Sequence, residues 1–79
     1  MRLLVRNMSR KTREDALRDL FEQFGAVQSC VIVKDDKTGG SKGFGFVEMP
    51  KPGDAKAAVY QLNGYELDGA NIRVKRAKQ

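Results

Sequence analysis

The sequence has no histidine, no tryptophan and a single cysteine, Cys30. These absences exclude zinc sites built from His and Cys, acid–base catalysis by histidine and a Ser-His-Asp triad. One cysteine cannot form an internal disulfide, which a small secreted domain usually needs. We therefore expect Cys30 to be a small core residue and the protein to be cytoplasmic, with no metal or cofactor.

Long apolar runs are also missing. The longest, Leu3-Leu4-Val5 and Cys30 to Val33, are far too short to cross a membrane, and the residues after Met1-Arg2 do not form a signal peptide. We therefore expect no membrane partner. The 79 residues are 41% hydrophobic and 32% charged, which is typical of a globular chain with one core. Residues 1–79 are accordingly predicted to form a single domain.

Hydrophobic periodicity predicts four strands and two helices in the order βαββαβ. The predicted strands are residues 2–8, 27–34, 42–49 and 70–75, with a tight turn at Asp68-Gly69. Right-handed crossovers place both helices on one face of an antiparallel sheet. The predicted fold class is therefore α+β, ferredoxin-like, with a four-stranded sheet whose second face carries no helix.

The helix ends are predicted from capping residues. Thr12 and Asp15 have the spacing of a capping box at the start of the first helix, and Gly25 is expected to end that helix in the left-handed cap position. Asp54 is the expected N-cap of the second helix, and Asn63-Gly64 is its expected end.

The third predicted strand sends alternate residues to opposite faces of the sheet. If Val47 and Met49 pack against the helices, Phe44 and Phe46 lie on the open face, where adjacent aromatic rings usually mark a binding site. The alternative register places both rings in the core. That register would expose the two aliphatic side chains and bury a lysine and a glutamate.

Positive charge follows the same division. The net charge is +5, and residues 1–8, 42–49 and 70–79 hold seven of the 15 basic residues, Lys78 included, but one of the ten acidic residues. Aromatic rings among cations suit single-stranded nucleic acid, because rings stack on bases while cations neutralise phosphates. The alternative is a basic surface that serves only solubility.

The octamer Lys42-Gly43-Phe44-Gly45-Phe46-Val47-Glu48-Met49 resembles the third-strand motif of the RNA recognition motif family, and Leu3-Leu4-Val5-Arg6-Asn7-Met8 resembles its first-strand hexamer. The resemblance extends over the whole chain. As a whole, the chain resembles a small, stand-alone protein that has one such domain. It implies binding of single-stranded RNA, with Phe46 stacking on a base, Phe44 packing against sugar or an adjacent base and Lys42 meeting phosphate.

Two positions depart from the family pattern. Leu4 stands where the family usually has an aromatic ring, and Met49 replaces an inward aromatic residue. Arg6 is placed to compensate for Leu4 through phosphate contact or guanidinium stacking; the alternative is a solvated surface arginine. The candidate RNA-binding residues are Leu4, Arg6, Lys42, Phe44, Phe46, Glu48, Arg73, Lys75 and Arg76.

Other interpretations stay open. If Cys30 and Ile32 face the helices, Val31 and Val33 form an apolar strip on an edge strand. Three roles are open for this strip: part of the surface on which bases stack, the interface of a weak dimer, or ordinary surface without a role. We expect a monomer. The chain is alternatively a module of this fold that binds protein. Acylphosphatases share the βαββαβ order, but no matching active-site loop is present, so we expect no enzyme. Single-stranded DNA stays open as a second ligand.

Overall fold

The computed structural model describes residues 1–77, so the tail cation Lys78 lies outside the described residues. The elements in chain order are β1 (Arg2–Arg6), α1 (Glu14–Glu22), β2 (Ser29–Lys34), β3 (Ser41–Glu48), α2 (Pro52–Leu62), β4 (Glu66–Leu67), β5 (Ala70–Asn71) and β6 (Arg73–Arg76). Within residues 1–77 the main sheet has four strands in the order β2-β3-β1-β6, all antiparallel neighbours. The predicted fold is confirmed, with a small β4–β5 hairpin added before β6.

The core lies between the helices and one face of this sheet. Inward residues of the strands alternate with outward ones, and α2 buries Ala55, Ala58 and Leu62. Burying a large aliphatic or aromatic side chain contributes about 1.5–3 kcal/mol, so this layer supplies most of the driving force for folding. The largest fully buried side chains are Phe21, Leu3, Leu17, Met49, Ile72, Val5 and Val47.

The start of α1 differs from the prediction. Arg13 occupies the N-cap position with no side-chain cap, and Asp15 accepts a hydrogen bond from the adjacent Ala16 amide. The Thr12 hydroxyl is buried and donates instead to Asp68 Oδ2 at 2.8 Å, in the turn between β4 and β5. The predicted capping box is therefore wrong, because a partner distant in sequence takes the hydroxyl that would have capped the helix.

The other predicted helix ends also shift. α1 ends at Glu22, before Gly25, and α2 begins at Pro52, before Asp54. Proline suits the first helical position, since it lacks the N–H that would be unpaired there. Asp54 lies in the first turn, where its charge complements the helix dipole, and does not act as N-cap. Asn63 follows α2 as predicted.

The last predicted strand is divided in two. Asp68 and Gly69 both have positive φ, 53° and 84°, as the two-residue turn of a tight hairpin requires, so the predicted turn is confirmed. Ile72 then bonds back to Tyr65, its N–H donating to the Tyr65 carbonyl at 2.9 Å. This bond separates the β4–β5 hairpin from β6, which continues the main sheet.

Cys30 belongs to β2, and its side chain lies in the core, as predicted. Its thiol is 3.6 Å from the Glu14 carbonyl oxygen, to which it donates. Burial, reinforced by the nearby Glu14 carboxylate, raises the pKa of Cys30 to about 11. The thiol is therefore protonated at neutral pH and behaves as a small hydrophobic side chain. Among residues 1–77, no helix has the length and apolar character needed to span a membrane.

Candidate nucleic-acid interface

The face of the sheet opposite the helices carries both phenylalanines of β3. Phe44 and Phe46 are half-buried on this open face, while Val47 and Met49 are fully buried beneath it. The register that places the rings outward is therefore confirmed. The two rings meet edge to face, with centroids 6.3 Å apart and an interplanar angle of 85°. Such a pair holds each ring in a defined orientation.

Gly45, between the two rings, lets β2 approach β3 closely. A Cβ atom at this position would fall on the Val31 carbonyl oxygen and within 3.1 Å of the Ile32 Cα. Only glycine fits there without moving backbone. Glycine at this position therefore lets β2 pair with β3 directly beside the two phenylalanines.

One row of side chains crosses the open face through Phe46. Register places Val31 of β2 opposite Phe46, Phe46 opposite Leu4 of β1, and Leu4 opposite Lys75 of β6. Leu4 is half-buried beside the ring, and Lys75 is exposed. The row therefore runs from an apolar edge, across the ring, to a cation.

A second group of cations lies beside this row. Arg6 pairs with Arg73 across β1 and β6, and both side chains are exposed, as is Lys42 in β3. A shallow cavity, here called the central cavity, lies between these elements and has a volume of ≈ 670 Å³. Its lining residues are Leu4, Arg6, Asn7, Met8, Arg10, Lys42, Gly43, Phe44 and Phe46.

Arg76 does not join this surface. It pairs with Leu3, whose side chain is buried toward the helices, so Arg76 extends to the helix side of β6. There it lines a cleft with Val59 and Tyr60 of α2. Its placement gives no support to the prediction that it binds RNA. The sequence prediction ended this strand at Lys75, so Arg76 was grouped with the basic tail, whereas β6 continues through Arg76 and alternation turns its side chain to the helix side.

Glu48 and Arg2 lie at the far end of the open face. Register places Glu48 between Ser29 of β2 and Arg2 of β1. The Arg2 guanidinium carbon lies over the Phe46 ring, 4.2 Å from its centroid, in a cation–π contact. Arg2 was missed as a site residue although alternation already placed it on the same face as Leu4 and Arg6.

Two polar residues at the other end of β1 were also missed. Asn7 has a positive φ of 57° and donates through Nδ2 to the Asn71 carbonyl at 2.7 Å. Arg10 approaches the Ser41 carbonyl at 3.5 Å from the loop after β1. Both line the central cavity. Periodicity carries no signal for a loop residue such as Arg10, whose position depends on the path of the chain.

The β2 edge has the exposure that alternation predicts. Cys30 and Ile32 are buried, while Val31 is 51% exposed and Val33 is half-buried. In the part of the chain that the structure describes, β2 has a neighbour on one side only, so it is an edge strand as predicted. The dimer interface stays a prediction.

The geometry defines a class of protein. Among residues 1–77, one sheet face with two oriented rings and exposed Lys and Arg is left uncovered by the helices, which is typical of a nucleic-acid-binding surface. Comparison with known proteins agrees with this class. Residues 3–73 match the family described as the RNA recognition motif, and the chain belongs to that family.

Individual relatives show how much of the chain is shared. A human protein named Probable RNA-binding protein 23 is 45% identical over 74 residues, which cover 94% of this chain and 17% of the relative. The crystal structure of RNA Binding Protein PG1 superimposes with a TM-score of 0.96 at 40% identity, covering 100% of this chain and 95% of that one. A Sex-lethal protein/RNA complex superimposes with a TM-score of 0.93 at 29% identity, and the match covers 99% of this chain and 47% of that one. The chain thus spans under a fifth of the human relative.

Proposed function

We propose that this chain binds single-stranded RNA on the open face of its sheet. The observation that carries the proposal is the pair Phe44 and Phe46, held edge to face on a sheet surface that no helix of residues 1–77 covers. Nucleobases stack on such rings whatever their sequence, and each stacked base contributes about 1–3 kcal/mol. Family membership and the Sex-lethal protein/RNA complex support the same ligand.

The surrounding residues have distinct roles in this proposal. Phe46 stacks on one base, and Phe44 packs against the sugar or the next base. Lys42, Arg73 and Lys75 contact phosphates, which lie along the outside of a strand whose bases face the sheet. Leu4 supplies apolar floor beside Phe46 but no planar face, and Arg6 beside it adds a cation. Binding is therefore weaker than three aromatic platforms would give.

The unit proposed is residues 1–79 acting as a monomeric binding domain without catalytic activity. Single-stranded DNA offers the same bases and phosphates and is a second ligand to be compared. The buried, free thiol of Cys30 suits a reducing compartment. Cytosol and nucleus are both reducing, so we propose that the protein works in the cytoplasm, as its composition led us to expect, or in the nucleus.

The first test is an alanine variant of the central ring. Phe46→Ala should lower affinity for a pool of random single-stranded RNA octamers about 5- to 150-fold, the equivalent of 1–3 kcal/mol, measured by fluorescence anisotropy. Thermal melting should change little, since Phe46 lies outside the core. Tyr60→Ala is the matched control, because Tyr60 is 84% exposed on α2, on the opposite side of the sheet.

A stability control and a titration complete the test, and the titration decides between the proposal and a protein-binding module. Phe21→Ala, which empties a fully buried site, should cost about 3–5 kcal/mol of stability. Amide chemical shifts titrated with the RNA pool should move on β1 and β3. If Phe46→Ala binds RNA as well as the native chain does, or if shifts move only on the helices, the open face is not the RNA site. The exposed Val31 beside Phe46 would then favour protein binding.

A further inference from the structure

A second cavity lies on the other side of Phe46. It has a volume of ≈ 290 Å³ and is lined by Arg2, Ser29, Val31, Phe46 and Glu48. We call it the edge cleft, because it opens toward β2. The central cavity also includes Phe46, so this ring forms a wall common to both. A base stacked on Phe46 therefore presents one of its edges to the edge cleft.

Glu48 is the one acidic residue in the three predicted strand segments that carry the excess positive charge. Among residues 1–77 its carboxylate makes no salt bridge, although Arg2 stands opposite in the register. A carboxylate repels phosphates, so it weakens the electrostatic part of RNA binding. What it offers is two acceptor oxygens, and in RNA the N–H donors are on the bases.

The donor pattern of the bases selects among them. Two carboxylate oxygens match two adjacent N–H donors, and guanine presents such a pair at N1 and N2. Adenine and cytosine each present one amino group, and uracil presents one imino group. Guanine also carries the O6 and N7 acceptors that a guanidinium contacts in a bidentate manner. We propose that the edge cleft selects guanine through Glu48, with Arg2 as the donor to its acceptor edge.

The position of Arg2 fits this role. In the free protein its guanidinium covers the ring on which the base would stack. A cation–π contact at an exposed site is weak, so an entering base displaces the guanidinium from the Phe46 ring. Arg2, still anchored in β1, then lies beside the stacked base, within the edge cleft that it already lines. The inference rests on the proposed function, because it assigns a base to the same stacking site.

The test uses four pentanucleotide RNAs that have uridine at every position except the centre, which is G, A, C or U. We expect the native chain to bind the guanine RNA about tenfold or more tightly than the others, within the range of one bidentate pair. Glu48→Gln should reduce this preference below about threefold and raise the relative affinity for adenine, whose donor–acceptor edge matches an amide. Removing the charge alone raises affinity for all four RNAs equally, so the ratio is the readout.

Glu22→Gln is the matched control, since Glu22 lies on α1, behind the sheet, and its loss should leave the guanine ratio unchanged. Arg2→Lys keeps the charge but loses the planar fork, and should lower the guanine ratio as well. Equal binding of the four RNAs, or a preference that survives in Glu48→Gln, overturns the inference and leaves RNA binding intact. Absence of binding to all four overturns the proposed function itself.

Discussion

At the scale of single residues, Leu4 is where this chain departs from the family pattern, which usually has an aromatic ring at that position. Its side chain lies beside Phe46 in the row that crosses the open face, half-buried and without a planar surface. Leucine contacts a base only by dispersion and burial, whereas an aromatic ring stacks. The open face therefore has two aromatic rings, and Leu4 occupies the position where a third ring would stand.

Leu4→Tyr should strengthen RNA binding by about 1 kcal/mol, at the low end of a stacking contribution. Stability should hold, because tyrosine suits a strand and this position is outside the core. Anisotropy with one RNA measures the gain, and Leu4→Met is a control that adds no planar face. Sedimentation at two concentrations reports any change in self-association. An unchanged affinity in a folded Leu4→Tyr variant would show that the base does not reach β1.

Cys30 predicts a loss of stability in alkali. Because burial raises its pKa to about 11 from 9.0, the unfolded chain loses this proton first as the pH rises. The stabilisation is complete below pH 9 and is lost as the pH approaches 11. Urea unfolding at pH 8 and pH 10 should show an extra loss of about 1 kcal/mol in the native chain relative to Cys30→Ala. Equal losses in both chains would place the thiol in contact with solvent.

At the scale of elements, the absence of a side chain at Gly45 leaves the space in which β2 packs against β3. Gly45→Ala should cost on the order of 2 kcal/mol, because the added methyl group overlaps the Val31 carbonyl oxygen unless the backbone moves. Gly53→Ala is the control: nothing lies within 4 Å of a Cβ there, and alanine favours the helix in which it stands. Thermal melts of both variants give the comparison. A Gly45→Ala variant as stable as Gly53→Ala would mean that β2 shifts without cost.

The elements also show which features are local and which are not. Alternation in β3 predicted that Phe44 and Phe46 face outward, since period-two patterns depend only on neighbouring residues. The start of α1 could not be predicted in this way, because Thr12 bonds to Asp68 across 56 positions of sequence. The same limit applies to Arg10, whose place in the central cavity depends on the path of a loop.

At the scale of the whole molecule, the open face carries the exposed cations Arg6, Lys42, Arg73 and Lys75, and binding should therefore depend on salt. Three or four phosphate contacts predict a log–log slope of roughly −2 to −3 against salt concentration, at about −0.7 per contact. Replacing Arg73 and Lys75 with Ala removes two contacts, so the slope should become shallower by about 1.4 and all RNAs should bind more weakly alike. Lys56→Ala, on the exposed side of α2, should leave the slope unchanged. Affinity that is independent of salt would exclude this face.

The strand order of the sheet also determines when the molecule can fold. β1 lies in the middle of the sheet, and both of its partners, β3 and β6, follow it in the chain, with Leu3 paired to Arg76. During synthesis, β1 therefore leaves the ribosome with neither neighbour available. It gains β3 first and keeps one open edge until residues 73–76 emerge. Pairings this distant in sequence slow folding, and the four-stranded sheet is not complete until residues 73–76 have been synthesised.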